Sequence, residues 1–235
     1  MFLLLPLTSK AQHKTTHTNM LWEGYYNTIS FNKYWSLLSD AQVRTKDWTR
    51  QWSQMLVRSG VNYKINDHIS FTGGFAFFKN AQYANKELLL KNEWRPWQEL
   101  CYQVKSGKIN FLQRLRTEQR FLQQVANNHK TPDYQYIFRL RYRLEFQIPF
   151  QENKFVFLAG NEVLVNPAYL NNSLFFDQNR TFAGMNLKLH RNTALQFQYL
   201  KILKWHSNTS VLDDQNVARI NLLQQFNFRK RHDSK

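Results

Sequence analysis

The feature that most constrains this chain is a period of two. Between residues 138 and 148, Phe138, Leu140, Tyr142, Leu144, Phe146 and Ile148 fall on one face of an extended segment. Arg139, Arg141, Arg143, Glu145 and Gln147 fall on the other. Successive side chains of an extended backbone point to opposite sides, so this pattern is that of a strand with two unlike faces. Residues 109–121 repeat it, with Ile109, Phe111, Leu115 and Phe121 opposed to Asn110, Arg114, Arg116, Glu118 and Arg120. Residues 54–64 set Met55, Val57, Val61 and Tyr63 against Gln54, Arg58, Asn62 and Lys64. In residues 35–44, Trp35, Leu37, Ala41 and Val43 oppose Ser36, Asp40, Gln42 and Arg44. Weaker versions occupy 21–32, 68–78, 92–104, 154–166, 179–189, 193–204 and 217–228. Eleven strands can be counted, and no amphipathic helix.

The connections alternate too. Short polar turns at Asn32-Lys33, Asn66-Asp67, Lys105-Ser106-Gly107, Gln151-Glu152-Asn153 and His190-Arg191-Asn192 are separated by longer loops near 79–91, 122–134, 167–178 and 205–215. Tight turns at one end and long loops at the other are the plan of bacterial outer-membrane barrels. Trp22, Tyr34, Trp35, Trp48, Trp52, Trp94, Trp97 and Trp205 lie toward strand ends, where interfacial girdles would hold them. A soluble sandwich uses shorter strands and turns its charged face to water. The expectation is therefore an all-β, antiparallel up-and-down transmembrane β-barrel over residues 21–228. Single-chain bacterial barrels have even strand numbers, which predicts about 12 strands (10–12), one of them hidden before Trp22 or within 79–104. The apolar run Phe2 to Leu7, followed by Ser9 and Ala11, reads as a partial signal peptide over residues 1–11. Residues 12–20 then form a lead-in, and 229–235 a basic tail.

Charge narrows the functional classes. Against 16 Asp+Glu stand 32 Lys+Arg, a formal +16, which first suggests a nucleic-acid partner. Binding of that kind places cations and stacking aromatics on one exposed face. Here Arg139, Arg141 and Arg143 lie opposite Phe138, Leu140 and Tyr142, so a soluble nucleic-acid binder is only an alternative. A single cysteine, Cys101, excludes a disulfide scaffold, and no His/Asp/Glu cluster has metal-ligand spacing, so no cofactor is expected. Mean hydropathy of −0.60 and the absence of any apolar run near 18 residues exclude a helical membrane protein.

Several strings carry a family resemblance. Leu56 to Tyr63 (LVRSGVNY), Glu93 to Leu100 (EWRPWQEL), Arg114 to Phe121 (RLRTEQRF), Arg139 to Arg143 (RLRYR) and Asp177 to Arg180 (DQNR) ahead of Gly184 occur in that order. Together they resemble the Bacteroidetes-type outer-membrane family catalogued as domain-of-unknown-function family 2490 (DUF2490), over about residues 21–228. The resemblance implies a β-barrel in the outer membrane of a Gram-negative bacterium. It carries no reaction, ligand or catalytic residue.

In such a barrel the apolar face meets outer-membrane lipid and the polar face lines the lumen. The expected lumen charge network is Arg58, Arg95, Arg114, Arg116, Glu118, Arg120, Arg139, Arg141, Arg143, Glu145, Glu162 and Arg180. With Arg44, Arg219, Asp40, Glu93 and Glu99 it reaches eleven arginines against six acids. Two uses are open: a salt-bridge web that closes the barrel, or a narrow channel favouring small anionic solutes, with Arg114, Arg116, Arg139, Arg141 and Arg143 as charge carriers. His68-Ile69-Ser70 resembles the pair used by outer-membrane lipid hydrolases. Both residues follow a tight turn and share the lumen face, away from lipid, so enzymatic activity is not expected. Ile220, Leu222, Phe226 and the last aromatic, Phe228, are similar to the terminal signal read by the barrel-assembly machinery.

Overall fold

The computed structural model describes residues 14–84, 87–169, 175–206 and 211–228. The expected signal peptide and basic tail lie outside the described residues. Eleven strands follow one another: β1 (Lys14–Ser30), β2 (Trp35–Lys46), β3 (Gln51–Lys64), β4 (Ile69–Ala84), β5 (Glu87–Ser106), β6 (Ile109–Ala126), β7 (His129–Phe150), β8 (Phe155–Val165), β9 (Phe176–His190), β10 (Thr193–His206) and β11 (Val211–Asn227). A short 3-10 turn, Pro167–Tyr169, follows β8. Each strand pairs with its sequence neighbours, and the sheet closes into a barrel through β1 and β11.

That closure corrects the expected count of twelve. Every joint is antiparallel except β1–β11, which run parallel in unbroken register from Lys14↔Val211 to Ser30↔Asn227. The seam is fully paired, so the described residues leave no gap in the barrel for a further strand. The eleven alternating segments read from the sequence are the eleven strands of the described barrel. The lead-in expected over 12–20 is largely β1, which begins at Lys14.

Two of the four expected long loops are corrected as well. β6 and β7 are joined by Asn127-Asn128 alone, both at positive φ (49° and 61°), as a two-residue hairpin of the primed type requires. β4 and β5 run to Ala84 and from Glu87, with pairing up to Ala84↔Glu87. The stretches 79–91 and 122–134 are thus mostly hairpin arms. Their polar residues on both faces hide the alternation without breaking the strand.

The outward face is apolar and aromatic. Val57, Phe75, Leu100, Tyr142, Ile148, Phe157, Phe197 and Tyr199 are among its exposed side chains. Cross-strand rings associate along it, as in Trp35–Tyr63 and Phe77–Trp94, with centroids 4.6 and 4.4 Å apart. The inward face holds two small apolar clusters. One joins Met20, Trp22, Leu158, Phe182, Leu200, Ile202 and Val217; the other joins Leu56, Ala76, Phe78 and Trp97. Trp22 and Trp97, expected in an interfacial girdle, are therefore interior residues, 4% and 3% exposed. Their register settles it: Trp22 alternates with Gly24 and Trp97 with Arg95 and Glu99, all on the inner face. Trp97 lies across Gly60 and Gly74, where an added Cβ would come within 2.7 and 2.5 Å of its ring. No helix among the described residues is long and apolar enough to cross a membrane.

Candidate functional site

The interior is organised by cross-strand register. Glu118 on β6 sits directly opposite Arg139 on β7, and Glu99 on β5 opposite Arg116 on β6. The same register opposes like charges at Arg114↔Arg143 and Arg116↔Arg141. Like charges directly across a ladder repel, and these arginines reach past one another to acids on further strands. Arg141 donates from Nη1 to Glu118 Oε1 at 2.7 Å and from Nη2 to Glu162 Oε1 at 2.8 Å. Arg114 spans from β6 to Glu162 on β8 at 2.6 Å.

Glu118 is the hub. Its carboxylate, buried almost completely, accepts from Arg95 at 3.3 Å, Arg139 at 2.5 Å and Arg141 at 2.7 Å. Glu93 takes Arg95 and Arg120, at 2.5 and 2.7 Å. Glu99 takes Arg116 through Nε at 2.6 Å, and Arg114 Nε lies 3.5 Å away. Asp40 holds Arg58 at 2.7 Å, and Arg143 donates to Glu145. A buried carboxylate with two or three guanidinium partners is neutralised where an isolated one would be costly.

All twelve residues of the expected network lie in this interior, with one addition. Asp177 on β9 accepts from Arg139 Nη1 at 2.9 Å. Simple alternation from Arg180 would turn Asp177 outward. A register shift turns it in, because β8 pairs Leu164 with Gln178 but Val165 with Phe176, leaving Asp177 as the extra residue of a bulge. Asp177 thereby joins the six acids counted from alternation.

The other side of the barrel is different. Arg44 on β2 donates to Gln54 at 2.7 Å and Gln42 at 3.0 Å. Arg180 on β9 leans on Gln178 at 2.9 and 2.6 Å, with Glu162 at 3.6 Å. Arg219 on β11 donates to Gln198. Among the described residues no ion pair within 4.0 Å reaches Arg44 or Arg219. The Trp22 ring supports Arg44, 3.9 Å from its centroid; elsewhere aromatic faces add to ion pairs, with Arg95 3.8 Å from Phe78, Arg143 4.2 Å from Phe182 and Arg116 4.4 Å from Trp97.

These groups enclose a cavity of about 510 Å³. Ten of the eleven arginines line it, together with Lys91 and Lys204, against three carboxylates: Glu93, Glu162 and Asp177. Of the five expected charge carriers, Arg114, Arg139, Arg141 and Arg143 face this space. Arg116 does not, being stacked beneath Trp97 and held by Glu99. At the short-turn end a separate recess is lined by Asn62, Ser70, Cys101 and Gln103 among others. There Lys64 Nζ bonds Asp67 at 2.6 Å and holds that carboxyl below its ordinary range. His68 Nδ1 lies 3.0 Å from the Gln103 carbonyl oxygen, and Cys101 Sγ 3.3 Å from Glu99 Oε1. The described residues contain no group of three or more His, Cys, Asp or Glu that could hold a metal ion.

A closed all-β barrel with a charged interior and an aromatic exterior defines the class of molecule. A solved structure of the NanC porin is similar to the chain, with a TM-score of 0.51 at 12% identity over 87% of this chain and 98% of that one. The siderophore receptor PirA from Pseudomonas aeruginosa is a more distant likeness, with a TM-score of 0.32 at 9% identity over 74% of this chain and 32% of that one. No curated protein matches the chain. The family described as "Protein of unknown function (DUF2490)" matches residues 19–216, and the chain belongs to that family.

Proposed function

We propose that the protein is a bacterial outer-membrane β-barrel whose narrow lumen passes small anionic solutes. The observation that carries this reading is the charge facing the cavity: ten arginines and two lysines against three carboxylates. Most interior acids lie behind their arginines, so the field in the free space is positive. Low-dielectric walls concentrate such a field, and rings of one sign favour the counter-ion. The exposed apolar and aromatic exterior supports insertion into lipid, because only a closed sheet satisfies its backbone there. Likeness in fold to a porin is compatible with this role. β11, with Ile220 and Leu222 exposed and Phe228 exposed just beyond its end, is the segment the assembly machinery would read.

Purified protein in planar bilayers under a KCl gradient tests the reading. The expected result is single-channel conductance with a reversal potential on the anion side. Absence of conductance, or a cation preference, overturns it. The barrel is read as non-enzymatic, and fluorescent-phospholipid hydrolysis abolished by Ser70→Ala would reverse that.

A further inference from the structure

We infer that Arg44, Arg180 and Arg219 form a discrete binding site for an oxyanion group, a carboxylate or a phosphate, on the β9–β10–β11–β1–β2 side of the lumen. The three come from alternate strands of one contiguous arc of the barrel, β2, β11 and β9, with β1 and β10 between them. Arg44 and Arg180 both address the ring of Trp22 on β1, at 3.9 and 5.6 Å from its centroid. Arg180 and Arg219 are both within electrostatic reach of Arg44. All three line the same cavity.

Their partners separate them from the other interior arginines. A guanidinium carries five N–H donors. Arg44 spends two, both on glutamine oxygens, and Arg180 spends two on Gln178. Arg219 spends one on Gln198. A glutamine oxygen fixes the direction of a guanidinium without cancelling its charge. The amides are themselves anchored: Gln42 donates to Asp40 at 2.7 Å, while Gln54 donates to Asn80, which donates to Glu93 at 3.0 Å. Negative charge is thereby kept one or two amides away from Arg44. A scaffold has little use for this arrangement, since Arg44 and Arg219 have neutral backing alone, Arg180 adds only a 3.6 Å contact to Glu162, and the three cations repel one another. An incoming oxyanion would relieve that repulsion and take up donors in the forked geometry that guanidinium offers.

This inference deepens the anion reading of the lumen, and it can fail separately from it. Isothermal titration of the purified protein in detergent, with inorganic phosphate in one arm and succinate in the other, measures the site without requiring an open pore. Binding in either arm is expected, and the tighter arm distinguishes a tetrahedral from a planar oxyanion. Arg44→Gln and Arg219→Gln should each weaken it about tenfold, as loss of a charge-assisted bond implies. Lys91→Gln, which removes a cavity charge elsewhere, should change it by less than about twofold. Because neither arginine neutralises a carboxylate, both glutamine variants should keep or raise the temperature at which the barrel changes mobility on a detergent gel. No binding by the wild type in either arm overturns the site. So does an equal loss in Lys91→Gln, or a marked fall in transition temperature in both glutamine variants. Binding that survives in a protein without anion-selective conductance would sink the permeation reading and leave the site standing.

Discussion

The two sides of the lumen use one residue type for opposite ends. On β5–β8, Arg95, Arg114, Arg116, Arg120, Arg139 and Arg141 are shared among Glu93, Glu99, Glu118 and Glu162. On β9–β2, Arg44 and Arg219 rest on glutamines, and Arg180 rests on Gln178 with one distant carboxylate contact. The first wall spends its arginines on shared ion pairs that cross-link several strands and hold the sheet in register. Both walls face the cavity, and the second leaves more of its charge uncompensated. A partner that differs only in whether its side chain is ionised decides whether an arginine cements the barrel or remains free for a ligand.

Substitutions that trade one wall's chemistry for the other's test this contrast. The largest effect is expected from Glu118→Gln, which leaves Arg95, Arg139 and Arg141 without their shared charge. Removing one partner from a buried ionic cluster costs about 3–5 kcal/mol, so unfolding in urea with detergent should show a loss of that order. If Glu118→Gln is no less stable than the wild type, the paired wall is not a structural cross-link. Asp177→Asn should do less, about 1–2 kcal/mol by the same measurement, because Arg139 keeps Glu118 and the amide keeps a hydrogen bond. Smallest in stability is Gln198→Glu, which places a carboxylate beside Arg219. A gain of up to about 1 kcal/mol is expected. Its sharper signature is electrical, a reversal potential moved toward cations. An unchanged potential would remove the second wall from any part in selectivity.

Much of this architecture was legible in the sequence, for a physical reason. Alternation fixes which face each side chain takes, and in residues 138–148 and 109–121 it places Arg139, Arg141, Arg143, Arg114 and Arg116 inside without further information. Alternation says nothing about which residue lies across the ladder, so the pairing of Glu118 with Arg139 had to come from the register. Asp177 was invisible for the complementary reason: a bulge breaks the very period that assigns faces. Trp22 and Trp97 were misplaced because an aromatic near a strand end suits both an interfacial girdle and the wall of a lumen. Hydropathy cannot separate the two, although each shares its inner face with polar neighbours. The count of eleven was legible, but the parallel seam that permits it was not. Evenness is a habit of such barrels, while the parallel seam depends on two segments nearly two hundred residues apart, and no local pattern encodes it.

That seam has a consequence for topology in the cell. Because β1 and β11 point the same way, the described residues traverse the barrel wall an odd number of times. Thr15 therefore sits at the mouth shared with the β10–β11 connection, and Phe228, bonded to Ser30, at the other. In any bilayer that the barrel spans, these two positions face different compartments. An epitope placed beside one would be shielded from an antibody that reaches the other.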